Sequence, residues 1–256
     1  MAKQTRQCLI VGNWKMYKTI DQAVAFVDQI APMVENASCK VMLAVPFTAI
    51  KTLSEKVKGT NIIIGAQNMN DASEGAFTGE VAAIMLKDAG AEFVLIGHSE
   101  RRQIYHEDNQ FINRKVLRAL SCGLAPLLCV GETVEEREEN KTEDVLKEQL
   151  TVALQGCSKD AVKSLMIAYE PVWAIGTGLA ATSEIAATSM KQCRDILWQI
   201  FDEESSKKVP IVYGGSVNAQ NAENYLNTAE IDGLLIGSAS LHTDSFAKII
   251  SLRQNS

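Results

Sequence analysis

The sequence predicts an α/β protein: a closed, eight-stranded parallel barrel with helices outside, (β/α)8, forming one domain over residues 1–256. Eight short apolar runs recur along the chain, seven followed by Gly or a polar residue and the second by Pro46. Their unbroken hydrophobicity suits strands covered on both faces, as parallel strands are. Their spacing averages about 32 residues, the size of one strand plus a crossover helix. At roughly 150 residues per domain the length hints weakly at two domains, but eight such units use the whole chain. An open doubly wound sheet is the runner-up, weakened by the lack of Gly-x-Gly-x-x-Gly after the first run.

In chain order, the first run is Cys8–Val11, followed by Gly12, Asn13, Trp14 and Lys15. Val41–Val45 and Ile62–Ala66 are the second and third. After them Gln67–Glu80 is polar, contains Gly and lacks helical period. Loops beyond about 12–15 residues are usually functional or disordered, so this one is a mobile surface loop or a partner-binding arm. Phe93–Ile96 is the fourth run, and Gly97-His98-Ser99-Glu100 follows. A helix is expected over Glu107–Ser121, where Ile112, Val116, Ala119 and Leu120 share one face. Ala125–Val130 is fifth, then Gly131 and Glu132. Val134–Leu154 is expected as one helix, with Glu132, Glu135 and Glu136 suited to its N-terminus. Leu165–Tyr169 leads to Glu170 and Pro171, before a helix over Ser183–Phe201. Val209–Tyr213 leads to Gly214-Gly215-Ser216. Gly233–Ile236 leads to Gly237-Ser238 and a last helix, Asp244–Leu252.

Hydrophobic residues make up 46% and charged residues 22%, which allows a sizeable core and excludes wholesale disorder. The net charge of −6 and pI near 5.2 argue against a nucleic-acid binder. An anionic substrate would need local positive potential against the global field. The start of the chain is polar, Cys8–Val11 is too short for a signal-peptide core, and no apolar run reaches membrane-span length, so a cytoplasmic protein is expected. Cys8, Cys39, Cys122, Cys129, Cys157 and Cys193 form no Cys-x-x-Cys pair and read as reduced core thiols. No residue cluster has metal-ligand spacing and no Gly-x-Ser-x-Gly elbow occurs, so neither a metal nor that hydrolase chemistry is expected.

Barrel active sites lie at the C-terminal strand ends. Lys15, His98 and Glu170 therefore converge on one rim, with Gly/Ser pairs after the seventh and eighth runs placed for phosphate binding. Each has a plainer alternative: a solvated lysine, a structural histidine, a surface glutamate, a simple Gly-Gly turn. Catalysis is favoured for His98 by its position beside Gly97 at the mouth, whereas His106 and His242 read as surface residues. Glu170 ends an apolar run before a Pro, and partial desolvation there would raise its pKa, as a general base needs.

Several stretches carry a specific resemblance: Gly12-Asn13-Trp14-Lys15-Met16, Gly97-His98-Ser99-Glu100-Arg101-Arg102, Cys129-Val130-Gly131-Glu132, the run from Ala168 through Glu170 to Gly178, and Tyr213-Gly214-Gly215-Ser216-Val217. In this order, over essentially the whole chain, the sequence resembles the triosephosphate isomerases, whose fold is the TIM barrel. The resemblance implies cofactor-free interconversion of dihydroxyacetone phosphate and D-glyceraldehyde 3-phosphate through an enediolate, in glycolysis and gluconeogenesis. It makes Glu170 the base, and His98 the group that polarises the carbonyl and shuttles protons. The family's histidine is a known case of a neutral imidazole beside a helix N-terminus. Lys15 and Asn13 would contact the substrate, with Glu100 paired to Lys15. Gly176, Ser216, Gly237 and Ser238 would hold the phosphate. Pro171–Gly178 would be a lid, supported by Glu132, Trp173 and Tyr213, with Tyr213 and Ser216 latching it. The loop Gln67–Glu80 would dock on a second copy, Thr78 approaching the partner's Asn13, Lys15 and Met16, in a homodimer.

One position departs from the family pattern: Ser238 stands where a second glycine is usual. If the site needed a positive φ, Ser would cost on the order of 1 kcal/mol and alter substrate affinity. Two other classes compete with the isomerase: a barrel aldolase using Lys15 as a Schiff base, and a non-catalytic scaffold. The presence together of Glu170, His98 and Lys15 counts against the second.

Overall fold

The computed structural model describes residues 6–175 and 180–253. Its eight strands close in chain order into one parallel barrel. They are β1 Leu9–Asn13, β2 Lys40–Val45, β3 Ile62–Ala66, β4 Phe93–Ile96, β5 Ala125–Val130, β6 Met166–Tyr169, β7 Ile211–Tyr213 and β8 Gly233–Ile236. All eight apolar runs are strands. The first, sixth and seventh begin later than the runs do. In the seventh, Pro210 has no N–H to give the ladder, so pairing starts at Ile211.

The main crossover helices are α1 Ile20–Met33, α2 Phe47–Lys56, α3 Ala83–Asp88, α4 Ser99–Gln103, α5 Asn109–Ser121, α6 Val134–Glu138, α7 Thr142–Ala153 and α8 Ser183–Ile200. After them come α9 Glu203–Ser206, α10 Ala222–Leu226 and α11 Thr243–Ser251. The single helix expected over Val134–Leu154 is two. Asn140 adopts a left-handed φ of 58°, which Asn tolerates better than most residues, and this breaks the helix between α6 and α7. Thr133 caps α6 with Glu136 in a reciprocal pair, so Glu136 does sit at a helix start.

Strand side chains alternate between two separate apolar layers. Leu9, Val11, Met42, Ala44, Phe93, Leu95, Leu127, Cys129, Met166, Ala168, Val212 and Leu235 fill the barrel interior. Ile10, Val41, Leu43, Val94, Ile96, Leu128, Val130, Ile167, Tyr169, Ile211, Tyr213 and Leu234 belong to the larger core beneath the helices. This alternation determines where each residue just past a strand points.

The seam between β8 and β1 is tight. A Cβ on Gly233 would lie 1.9 Å from the Leu9 carbonyl oxygen. Below it, the Asp232 carboxylate accepts from Arg194 Nη2 at 2.8 Å and from the Ile211 amide at 2.9 Å, and also pairs with Arg6. Its own carbonyl accepts from the Leu9 amide. One aspartate thus ties β7, β8, α8 and the start of β1 together.

One sequence expectation fails here. Cys8 and Cys39, read as reduced thiols, are joined by a disulfide with their Cα atoms 4.6 Å apart. Leu9 pairs with Lys40 in the β1–β2 register, so the two preceding residues lie side by side. The 31-residue separation hides this in the sequence. Cys122, Cys129, Cys157 and Cys193 are free.

Gly233→Ala should lower unfolding stability by about 3 kcal/mol, because the methyl group meets backbone rather than a movable side chain. Urea midpoints at one protein concentration measure this, and an unchanged midpoint would contradict the seam geometry.

Candidate active site

The mouth is built from residues that continue the inward parity of each strand. Asn13 follows Leu9 and Val11, and Glu170 follows Met166 and Ala168. Gly214 and Gly237 follow Val212 and Leu235 in the same way.

Lys15 lies just past β1 with φ 50°, a left-handed conformation that costs a non-glycine residue on the order of 1–3 kcal/mol at a strained site. Its neighbours hold it there. The Asn13 side chain accepts from the Lys15 amide at 3.0 Å. Gln67 Nε2 donates to the Lys15 carbonyl at 2.7 Å and to the Ala44 carbonyl at 3.1 Å. Between them Trp14 is buried, with its indole N–H on the Ser240 carbonyl. The Lys15 Nζ, so placed, lies 2.7 Å from Glu100 Oε1. Burial pushes the Glu100 carboxyl upward, but the hydrogen bond and the charge of Lys15 outweigh it and hold it below the usual range. Gln67 is a positioning residue that the sequence showed only as the start of a long loop.

After β4 the alternation is broken. Gly97 takes φ 74°, where a side chain is strained, and its turn brings His98 round to cap α4. The His98 Nδ1 accepts from the Glu100 amide at 3.2 Å, so the proton of the neutral ring sits on Nε2. That Nε2 is 3.2 Å from Glu170 Oε1. The other Glu170 oxygen accepts from the Ser99 amide at 3.1 Å. Glu170 is only 2% exposed. Glycines make room for it: a Cβ on Gly131 would lie 1.8 Å from its carbonyl oxygen, and one on Gly214 would lie 2.9 Å from its Cγ. Cys129 lies beneath, its thiol pushed well up by burial and by the Glu170 charge.

Glu132 has the opposite parity. It follows Leu128 and Val130, points into the helix layer and is fully buried. Tyr169 Oη donates to both its oxygens at 3.1 Å, Trp173 Nε1 donates at 2.9 Å, and Arg137 reaches it at 3.2 Å. Trp173 lies in a short 3₁₀ turn, Val172–Ala174, directly after Pro171. Glu132 therefore anchors the start of the segment Pro171–Gly178. Gly176, named as a phosphate ligand, lies outside the described residues, as do Thr177 and Gly178. Tyr213 stacks on Tyr225 with ring centres 4.3 Å apart, and its buried hydroxyl has no hydrogen-bond partner among the described residues.

Some of these groups meet at a cavity of about 260 Å³. Asn13, Lys15, His98 and Glu170 lie on its walls, and Ser216, Gly237 and Ser238 on another side. Ser238 does not have a positive φ and Gly237 has φ −83°, so the feared backbone strain at Ser238 does not arise. Thr78 is exposed and does not line the cavity of its own chain. Among the described residues no group of His, Cys, Asp and Glu side chains could hold a metal ion. One cation, one neutral imidazole and one buried carboxylate on the walls of one pocket can move protons beside a carbonyl, and the cation can hold an anion.

Comparisons with known proteins show what the whole chain resembles. The family model described as triosephosphate isomerase matches residues 8–253. A triosephosphate isomerase of Protochlamydia amoebophila is 51% identical, covering 98% of this chain and 95% of the relative. One from Caldanaerobacter subterraneus is 44% identical over 96% of this chain and 99% of the relative. The crystal structure of triosephosphate isomerase from Bartonella henselae superposes with a TM-score of 0.89 at 37% identity, covering 97% of this chain and all of that one.

The Glu100–Lys15 pair sets a pH dependence. A carboxylate held low in the folded state stabilises it above the unfolded value of about 4.3, and this is lost as pH falls through the lower folded value. Glu100 is 42% exposed, so solvent screening limits the effect to no more than about 1 kcal/mol. The stability difference between wild type and Glu100→Gln should therefore be present at neutral pH and shrink below about pH 4. Urea titrations across that range test it, and a pH-independent difference would refute it.

Proposed function

The chain belongs to the triosephosphate isomerase family and interconverts dihydroxyacetone phosphate and D-glyceraldehyde 3-phosphate, and from that premise we infer that Glu170, His98, Lys15 and Asn13 carry the reaction at the barrel mouth. The observation that carries this reading is the 3.2 Å approach of a buried carboxylate to the protonated nitrogen of a neutral imidazole.

Glu170 turns from the Ser99 amide toward the pocket and takes a proton from the carbon beside the substrate carbonyl. It then returns the proton to the neighbouring carbon. The His98 Nε2–H polarises the carbonyl and passes protons between the two oxygens. Lys15 places positive charge beside the enediolate oxygen as negative charge develops there. Asn13 hydrogen-bonds the substrate while it fixes the Lys15 backbone. The phosphate sits at Ser216, Gly237 and Ser238, with Gly176 from the lid. Closure of Pro171–Gly178 shuts out water, which protects an enediolate that could otherwise lose its phosphate. The Glu132–Trp173 hydrogen bond holds the lid's first turn, and Tyr213 and Ser216 latch the closed form. Every step is a proton transfer between the substrate and groups that the chain supplies.

The protein works as a homodimer in the cytoplasm. Met16 is 95% exposed, and Tyr17, Phe77, Ile84 and Met85 are exposed apolar side chains that water disfavours. Met16 and Tyr17 adjoin the active lysine, and Phe77 lies beside Thr78 in the 67–80 loop. Burying the loop against a second copy would cover both patches and bring Thr78 to the partner's Asn13, Lys15 and Met16.

Glu170→Gln should lower kcat about 10²–10⁴-fold or more in a coupled isomerase assay, because the amide is not a base. A variant within tenfold of wild type would overturn the mechanism. Ser238→Gly should leave KM within about twofold, since Ser238 stands in unstrained backbone. A larger change would show that the hydroxyl or its backbone affects substrate binding.

A further inference from the structure

The Cys8–Cys39 bond has no part in the isomerase chemistry. It lies at the opposite end of β1 from Asn13, where the chain enters the barrel. Both cysteines lie against the core under the helices, Cys39 only 3% exposed and Cys8 partly accessible. The backbone already holds them together: the Lys40 amide donates to the Cys8 carbonyl at 2.9 Å, and β1 pairs with β2 in register above them. The Cα separation of 4.6 Å falls within the range that a disulfide bridges without backbone movement. The pair is therefore poised to bond or to separate with the fold unchanged. The loop it closes contains the Lys15 turn and all of α1.

We propose that Cys8 and Cys39 form a reversible redox clasp that fastens β1 to β2 at the base of the barrel. Closing needs an oxidant, and a low-molecular-weight disulfide RSSR serves. The more accessible Cys8 thiolate attacks one of its sulfurs, forming a mixed disulfide and expelling RS⁻. Cys39 then attacks the Cys8 sulfur and expels the second RS⁻. Two electrons pass from the cysteines to RSSR, and their two protons go to the departing thiolates. Opening reverses both steps, with two equivalents of RSH oxidised to RSSR. In a reducing compartment the dithiol dominates, and oxidative conditions close the clasp. Closure restricts the unfolded chain across the enclosed loop more than it alters the native one. It raises thermal stability and leaves the distant active site as it was.

The test uses the purified full chain, equilibrated with glutathione buffers of varied GSH:GSSG ratio, quenched in acid and alkylated. Oxidised protein should be 2 Da lighter than reduced protein before alkylation, with Cys8 and Cys39 recovered in one cross-linked peptide. Its Tm should exceed that of the reduced protein by about 5–10 °C, with kcat/KM within twofold. Cys39→Ser should melt like reduced wild type whatever the buffer. Should that variant misfold, the wild-type comparison stands alone. Recovery of both cysteines as separate alkylated peptides after GSSG treatment, or a wild-type Tm indifferent to redox state, would overturn the proposal.

Discussion

Keeping the Glu170 carboxylate in a nearly dry strand end requires donors, and both come from one turn of chain. Burying an ionised carboxylate without partners costs several kcal/mol. The Ser99 amide and His98 Nε2 are those partners, and they are adjacent residues at the start of α4. His98 can take part only because its other nitrogen accepts from the Glu100 amide, and Glu100 in turn holds Lys15. The three chemical groups of the mouth form one connected hydrogen-bonded chain, spanning the ends of β1, β4 and β6. The glycines Gly97, Gly131 and Gly214 are the steric side of the same requirement.

The positive character of the site is local. The chain as a whole carries −6, so long-range attraction cannot draw an anionic substrate in. The positive side chain on the cavity wall is Lys15. The left-handed backbone of Lys15 belongs to this economy of charge. The strain is spread over Asn13, Gln67, Trp14 and Ser240, which hold the lysine head in one place rather than letting it sample solvent.

Much of this was legible in the sequence, because unbroken apolar runs and strand-end glycines are local signals. The eight apolar runs located every strand, and the residues after them located Asn13, Lys15, His98 and Glu170. What escaped depends on contacts far apart in the chain. Gln67 is joined to Lys15 across 52 residues, and Cys8 to Cys39 across 31. Neither pairing leaves a spacing pattern. The break at Asn140 escaped for another reason: α6 has a single apolar residue, the exposed Val134, so no apolar pattern marks where it ends, and the left-handed φ of Asn140 leaves no periodic signal. The worry over Ser238 came from residue type alone, and the actual backbone removes it.

Glu132 and Glu170 follow neighbouring, hydrogen-bonded strands, yet one faces the helix layer and the other the cavity. Their roles differ only by the parity of a count. Deleting a single residue from β6 would carry Tyr169 into the mouth and turn the base into the core. A change of length is therefore better borne by the connecting loops than by the strands. The strands, most of whose residues only fill the core, are the part of the chain least able to tolerate an insertion or a deletion.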